Sequence, residues 1–415
     1  MNIQILDIDN ISDVWEEMRK IRVDKDGISI MASKSLSLLI KLHEINIKAV
    51  LILKQEMLSL GGEVALPKEV FNLSQKYFTV LLFGNLKIYQ KLVSKLKEQY
   101  FDLPKISQLI EEAIDNYQKE EFILNWKNYR LSLSKKTHIM GVLNITPDSF
   151  SDGDKFLDPE IAYEHALKMI EDGVDIIDIG GRSTRPGSKE ISVQEELNRV
   201  IPLIEKLSSK ISIPISIDTY RAEVAQKALA AGASIVNDIS GLYFDSKMAK
   251  VVSENQVPII IMHIKGTPEN MQKDPKYHNL ILEITDYLRK SINKAKEFNI
   301  PENKIIIDPG IGFGKTTSHN LEIIKKLKEF KILGKPILIG TSRKSFIGNI
   351  LDLPPEERVE GSAASVAISI YNGAHIVRVH DIKEIKKTVR MVDAIKSGLK
   401  FEFCNSSANH RGHRK

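Results

Sequence analysis

The sequence predicts an α/β fold, a (β/α)8 TIM barrel preceded by a smaller α/β domain. Three observations carry that expectation. From Thr137 to about residue 396, short β-rich runs alternate with helix-length amphipathic segments. Runs such as Ile259-Ile260-Ile261 and Ile305-Ile306-Ile307 are apolar without alternation, as expected of parallel strands covered on both faces. The alternation yields eight β/α units within about 260 residues, the length of a TIM barrel. A doubly wound open sheet produces the same alternation, but eight units without a long interruption favour closure.

In chain order, the strands are expected at 138–144, 175–180, 214–218, 234–238, 258–263, 304–308, 336–340 and 375–379. Helices fall between them, for example at 161–171, 193–207, 223–231 and 321–330. Gly173, Gly232 and Gly373 each precede the next strand, where a left-handed glycine cap turns the chain back. Residues before 136 carry a mixed pattern. There 28–42, 89–97 and 106–119 look helical, 49–53 and 78–83 look extended, and Gly61-Gly62 ends the amphipathic stretch 52–65. The expected domains are therefore 1–135, with no activity assigned, the barrel at 136–398, and a polar basic tail at 399–415 that reads as disordered.

Composition excludes several classes. The chain of 415 residues has room for two or three domains of roughly 150 residues each and for a large core. A single cysteine, Cys404, excludes a disulfide framework or a multi-cysteine metal site. The 59 basic and 54 acidic residues leave a net charge of +5, compatible with anionic small substrates and without the signature of nucleic-acid binding. The first residues lack a basic region followed by an apolar stretch, and no apolar run approaches the roughly 18 residues of a membrane helix. A cytoplasmic soluble protein is expected.

Barrel chemistry sits at the C-terminal ends of the strands. Here those ends are polar throughout: Asn144; Asp178; Asp218; Asn237-Asp238; Met262-His263; Asp308; Gly340-Thr341-Ser342-Arg343-Lys344; and Arg378-Val379-His380. Asp218, Asn237 and Asp308 form an acceptor-rich set suited to a flat heterocycle with adjacent N–H donors. Lys344, Arg378 and His380 are cationic or donor groups suited to phosphate oxygens or a ring carbonyl. Asn144 and Asp152 offer hard oxygens for Mg²⁺. The glycines of 310–314 and Gly340 allow backbone to approach a ligand closely. Together these suggest a site for a polar heterocycle carrying a diphosphate.

With those residues in view, the sequence resembles the dihydropteroate synthase family. Segments 141–152 (GVLNITPDSFSD) and 178–187 (DIGGRSTRPG) look like its two loop signatures. SIDT at 216–219, VNDIS at 236–240, IMHIKG at 261–266, DPGIGFGK at 308–315, SRKS at 342–345 and RVH at 378–380 follow in family order. The resemblance implies a pterin-binding barrel, with Mg²⁺, that condenses 6-hydroxymethyl-7,8-dihydropterin diphosphate with p-aminobenzoate. It implies that Asp218, Asn237 and Asp308 hold the pterin edge, Lys344 contacts the ring, and Met262 and Phe313 line its faces. It also gives Asn144 and Asp152 to Mg²⁺, Arg378 and His380 to the diphosphate, and Thr184, Arg185, Pro186 and Ser345 to the p-aminobenzoate pocket. Asp218, Lys344, Asp152 and Arg185 are its catalytic candidates, and a homodimer is its usual assembly. Arg182 and Asp154 depart from the pattern, Arg182 standing where an acidic residue is common.

Other polar residues have plainer explanations. Asp178 beside Gly180-Gly181 suits a turn cap, His263 a packed histidine, Arg343 a salt bridge supporting Lys344, and Asp175 a structural role at the start of its strand. A pterin-binding methyltransferase has no use for the SRKS and RVH motifs. A ribosylated aminobenzoate as acceptor is disfavoured by the intact segment 183–187, and a non-catalytic pterin sensor by the presence of Asn144, Arg378 and the first loop.

Overall fold

The computed structural model describes residues 2–8, 10–72, 75–145, 159–182 and 190–397. The chain divides into two units, Met1–Asn116 and Tyr117–Lys415, a division that falls before the 135/136 boundary suggested by the sequence.

In the first unit, β1 (Ser37–Asn46), β2 (Glu63–Ala65) and β3 (Tyr77–Asn85) form an antiparallel sheet in the order β1-β3-β2. Helices Ile47–Ser59, Leu86–Leu96 and Leu103–Gln118 contribute Leu53, Met57, Tyr89, Leu92 and Ile110 to its core. Two expectations are corrected here. Residues 28–42 are not one helix: the helix Lys25–Ser35 stops, and β1 turns Leu38, Ile40 and Leu42 toward the core with Leu39 and Lys41 outward. Residues 49–53 are helix, not strand. A continuous apolar run fits either, and the Asn46 side chain decides by capping the Lys48 N–H at 3.0 Å.

The second unit begins with a hairpin, β4 (Ile123–Trp126) and β5 (Tyr129–Ser132), that sequence reasoning missed. Phe122, Leu124, Trp126 and Leu133 join the core of the barrel, which is why this segment belongs to the second unit. The barrel strands are β6 (His138–Asn144), β7 (Ile176–Gly180), β8 (Ile215–Asp218), β9 (Ile235–Asp238), β10 (Ile259–Met262), β11 (Ile305–Asp308), β12 (Leu338–Ile339) and β13 (Ile376–Val379). Each lies within or matches its expected segment. They form one parallel sheet in the order β11-β10-β9-β8-β7-β6-β13-β12. A parallel bridge between Ile307 and Ile337, with the Ile307 N–H donating to the Pro336 carbonyl at 3.0 Å, joins the two ends. The sheet is therefore a barrel rather than an open sheet.

Gly173, Gly232 and Gly373 take φ of 93°, 120° and 99°, the positive values expected of caps. The expected helix 321–330 is shorter: Thr317–Lys325, then a 3₁₀ segment Leu327–Leu333. Asp175, at the bottom of the barrel, accepts the Ile139 N–H at 2.8 Å and pairs with Lys136 and His138. Burial opposes its charge, yet these partners hold its pKa at about 2. Among the described residues, no helix is long and apolar enough to cross a membrane.

Candidate active site

The polar strand ends converge on the barrel mouth because every strand is parallel and delivers its last residue to the same rim. At the centre lies Arg378 on β13. Its Nε donates to Asp178 Oδ2 and its terminal Nη2 to Asp218 Oδ2, both at 2.7 Å. Asn237 Nδ2 donates to the same Asp178 oxygen at 3.0 Å. One guanidinium thus serves two carboxylates that are themselves almost wholly buried. Burial and the neighbouring Asp178 raise the Asp218 carboxyl to about 7, with Arg378 opposing the shift. Asp178 Oδ1, Asp218 Oδ1 and Ser216 Oγ are buried without a hydrogen-bond partner among the described residues.

Asp178 is a site residue that sequence reasoning assigned to a turn. It does not cap the next turn; it anchors Arg378 and Asn237. The available signal was a carboxylate inside the otherwise apolar run Ile176-Ile177-Asp178-Ile179, buried on both sides.

Asp308 ends β11, and its Oδ1 accepts the Gly310 N–H at 2.7 Å. Burial lifts its pKa to about 6, against the pull of that N–H and of Lys344, Lys315 and Arg378. The glycines that follow take φ of 73° (Gly310), 82° (Gly312) and 66° (Gly314). Asn320 accepts the Gly312 N–H at 2.8 Å, and Tyr277 donates to the Gly314 carbonyl at 2.8 Å, fixing the loop from both sides. A Cβ on Gly310 would lie 2.0 Å from the His263 carbonyl oxygen. Gly310→Ala is therefore expected to cost about 3 kcal/mol or more, combining left-handed strain with a backbone clash. Urea denaturation measures it, and a loss below about 1 kcal/mol would contradict the stated geometry.

The loop places Phe313 beneath Lys344, whose Nζ lies 4.4 Å from the ring centroid. Phe313 and Met262 belong to a small apolar cluster with Ile239, Ile264 and Met271, separate from the barrel core. Arg343 is left-handed at φ 56° and forms a two-point ion pair with Asp381, while its N–H donates to Ser362 Oγ at 2.9 Å. These contacts fix the backbone that presents Lys344, so the salt-bridge expectation for Arg343 holds. Ser345 is exposed at the first turn of helix Ser345–Leu351. Gly340 packs against Arg378, where an added Cβ would meet Arg378 Cβ at 3.7 Å.

His380 lies on the open rim, its Nδ1 3.2 Å from Ser342 Oγ. The surrounding protein and, after it, the Arg378 guanidinium lower its pKa from the usual imidazole range. Arg182 stacks on Tyr220 at 4.4 Å and donates to its hydroxyl, neither free in solvent nor part of the Arg378 cluster. With Tyr220, Arg221 and Ile239 it walls a cavity beside Asp218. Glu196 supports that wall by accepting from Thr219 at 2.8 Å and Arg221 at 2.9 Å.

A cation site is testable at Gly180. A Cβ there would lie 3.1 Å from Asn144 Oδ1 and 3.8 Å from Asp218 Oδ2, so the two oxygens edge one notch. Among the described residues, no group of three or more His, Cys, Asp or Glu residues is placed so that it could hold a metal ion. Mg²⁺ does not require one, since it is usually held by one or two carboxylates with waters and substrate phosphates. Asn144 fits that chemistry. Asp152, Thr184, Arg185 and Pro186, like Asp154, Cys404 and the 399–415 tail, lie outside the described residues.

The pterin binding enzyme family matches residues 140–380. The chain is 48% identical to the dihydropteroate synthase of Bacillus subtilis over 287 residues, 69% of this chain and 97% of that protein. It is similar to a dihydropteroate synthase from Clostridium difficile solved in the presence of pteroic acid, with TM-score 0.60 and 46% identity over 63% of this chain and 97% of that one. It is similar also to that of Xanthomonas albilineans with 4-aminobenzoic acid, with TM-score 0.63 and 37% identity over 67% and 99% of the two chains.

Proposed function

The chain belongs to the pterin-binding enzyme family, among its dihydropteroate synthases, and on that premise we propose that it joins 6-hydroxymethyl-7,8-dihydropterin diphosphate to p-aminobenzoate, giving 7,8-dihydropteroate and pyrophosphate. The supporting observation is the buried acceptor set at the mouth, with Asp178 Oδ1 and Asp218 Oδ1 lacking donors and Asn237 and Asp308 beside them. Buried acceptors call for donors, and the edge of a pterin ring supplies several.

Asp218, Asn237 and Asp308 take the pterin edge, Met262 and Phe313 its faces, and Lys344 the ring beside Phe313. Gly340 leaves room next to Arg378. Arg378 and His380 receive the diphosphate. Of the five N–H groups of Arg378, Nε and one at Nη2 are engaged by Asp178 and Asp218. Thr184, Arg185, Pro186 and Ser345 shape the p-aminobenzoate pocket. Asn144 and Asp152 would hold Mg²⁺, which when bound would supply charge neutralisation for the departing diphosphate.

The chemistry is dissociative. The methylene C–O bond breaks, pyrophosphate leaves with the electron pair, and the cation delocalises into the dihydropterin. The arylamine lone pair then forms the C–N bond and a proton is lost to solvent. Asp218 offsets the developing positive charge, while Arg378 stabilises the leaving group. The arylamine is neutral at pH 7, so no strong base or covalent nucleophile is required, and the two loops exclude competing water. The assembly is a homodimer working in the cytoplasm.

The test supplies purified protein with the dihydropterin diphosphate and Mg²⁺, with and without p-aminobenzoate, and follows pyrophosphate and pteroate. Pteroate made by the wild type and lost in Lys344→Ala is the expected result. Tight pterin binding without product would overturn the acceptor assignment in favour of a modified aminobenzoate or a sensor.

A further inference from the structure

Two arginines flank one aromatic ring beside Asp218, and the protein neutralises only one of them. Arg182 follows β7, while Tyr220 and Arg221 follow β8, its paired neighbour in the sheet. Their guanidinium carbons lie 4.4 Å (Arg182) and 6.0 Å (Arg221) from the Tyr220 ring centroid. Arg221 is committed to the protein. Its Nη1 donates to Glu196 Oε2 at 2.9 Å, and its Nη2 to Glu190 Oε1 at 3.1 Å and to the Ile191 carbonyl at 2.8 Å. Glu196, only 1% exposed, is committed too, because its other oxygen accepts from Thr219 at 2.8 Å. Arg182 differs. Its hydrogen-bond partner is the neutral Tyr220 hydroxyl, and no carboxylate pairs with it among the described residues. Arg199 steadies this arrangement by donating to the Gly181 carbonyl at 3.0 Å, just before Arg182.

A guanidinium carries five N–H donors and stays charged. That of Arg182 is half-buried, stripped of part of its water yet open to a ligand, and it lines the cavity that reaches Asp218. Stacking on a ring fixes its plane, which suits two-point contact with a planar anion. The proposed reaction contains two anions. The diphosphate is assigned to Arg378 on β13 and to His380 after it, and in the sheet order β6 separates that strand from β7. The p-aminobenzoate pocket is assigned to residues that begin at Thr184, two positions after Arg182 in the chain. A carboxylate, planar with two oxygens, is the anion that matches the guanidinium fork.

We propose that Arg182 is a specificity residue for the acceptor, reading the carboxylate of p-aminobenzoate and favouring it over neutral arylamines. This rests on the synthase reading above. Tyr220 is its platform, and the pairing of Arg221 with Glu190 and Glu196 leaves Arg182 as the cation this wall offers to an anion.

The experiment measures kcat/KM of the full chain for p-aminobenzoate and for 4-aminobenzamide, which keeps the ring and the amine without the charge. Wild type, Arg182→Gln and Arg182→Lys are compared. Where the amide turns over too slowly, its inhibition constant against p-aminobenzoate takes the place of its kcat/KM. A charge-assisted hydrogen bond to the carboxylate predicts that the preference for acid over amide falls about tenfold in Arg182→Gln, through KM for the acid. Arg182→Lys keeps the charge without the fork and retains part of the preference. A wall that is merely structural, or a field acting through Asp218, moves both acceptors alike, so an unchanged preference overturns the inference. A rise in KM for the dihydropterin diphosphate in place of that for the acid overturns it as well, assigning Arg182 to the leaving group. Either result leaves the synthase reading intact, because wild-type turnover carries that reading. Absence of pteroate from the wild type sinks both.

Discussion

Replacing Asp218 with Asn is expected to slow dihydropteroate formation severely while stabilising the ligand-free protein at neutral pH. The two effects share one cause. Asp178 and Asp218 lie against a single guanidinium, so one negative charge in this buried cluster lacks a full counter-charge. In an unfolded chain an aspartate titrates near 3.9, whereas burial and Asp178 raise the folded Asp218 to about 7. The folded state therefore retains a proton that the unfolded chain has already released. Its stabilising contribution is complete below about pH 4 and is lost as pH rises through about 7. Asparagine keeps the shape without the charge, and Arg378 keeps Asp178 as partner.

The expected gain is on the order of 1–3 kcal/mol at neutral pH, with a flatter dependence of stability on pH between about 4 and 7. Activity moves the other way. On the proposed mechanism, Asn loses an anionic acceptor for the pterin edge and the negative charge opposite the developing cation, together worth on the order of 10²–10³ in rate. Urea midpoints across pH, set beside product formation, test both halves. A variant less stable than wild type at pH 8, or one retaining most of its activity, would contradict the arrangement.

How much of this was legible in the sequence divides by physical cause. Parallel strands buried on both faces must be apolar throughout, so Ile259–Met262 and Ile305–Asp308 announce themselves. Their polar termini mark the mouth for the same reason, since a barrel core tolerates no such groups elsewhere. The first unit was harder to read. Its apolar runs satisfy both a period of 2 and a period of 3.6 over short windows, and the choice between helix and strand at 28–42 and 49–53 rests on a cap and on tertiary packing. The anchoring role of Asp178 and the burial of Lys315 were missed because both depend on partners distant in sequence. Asp178 meets Arg378 200 residues away, and Lys315 meets His263 52 residues away. No local pattern encodes either pairing.

Arg378→Met is expected to give the largest combined loss. The substitution is close in size but removes the cation that is hydrogen-bonded to both Asp178 and Asp218, and it leaves both carboxylates buried against an apolar side chain. Breaking a buried pair by removing one partner typically costs about 3–5 kcal/mol, far more than the pair contributes relative to an apolar replacement of both. That penalty shrinks in acid, because Asp218, which burial already inclines toward its protonated form, escapes it by taking up a proton. With Arg378 in its proposed role toward the diphosphate, catalysis falls by on the order of 10³ as the leaving group loses that donor. The double variant Asp178→Asn with Arg378→Met separates the two effects. It removes much of the uncompensated charge and recovers part of the stability, yet it restores no activity, because the leaving group still has no guanidinium to meet it. Recovery of turnover in that double variant would show that Arg378 serves only to neutralise Asp178 and Asp218, and its role toward the diphosphate would fall.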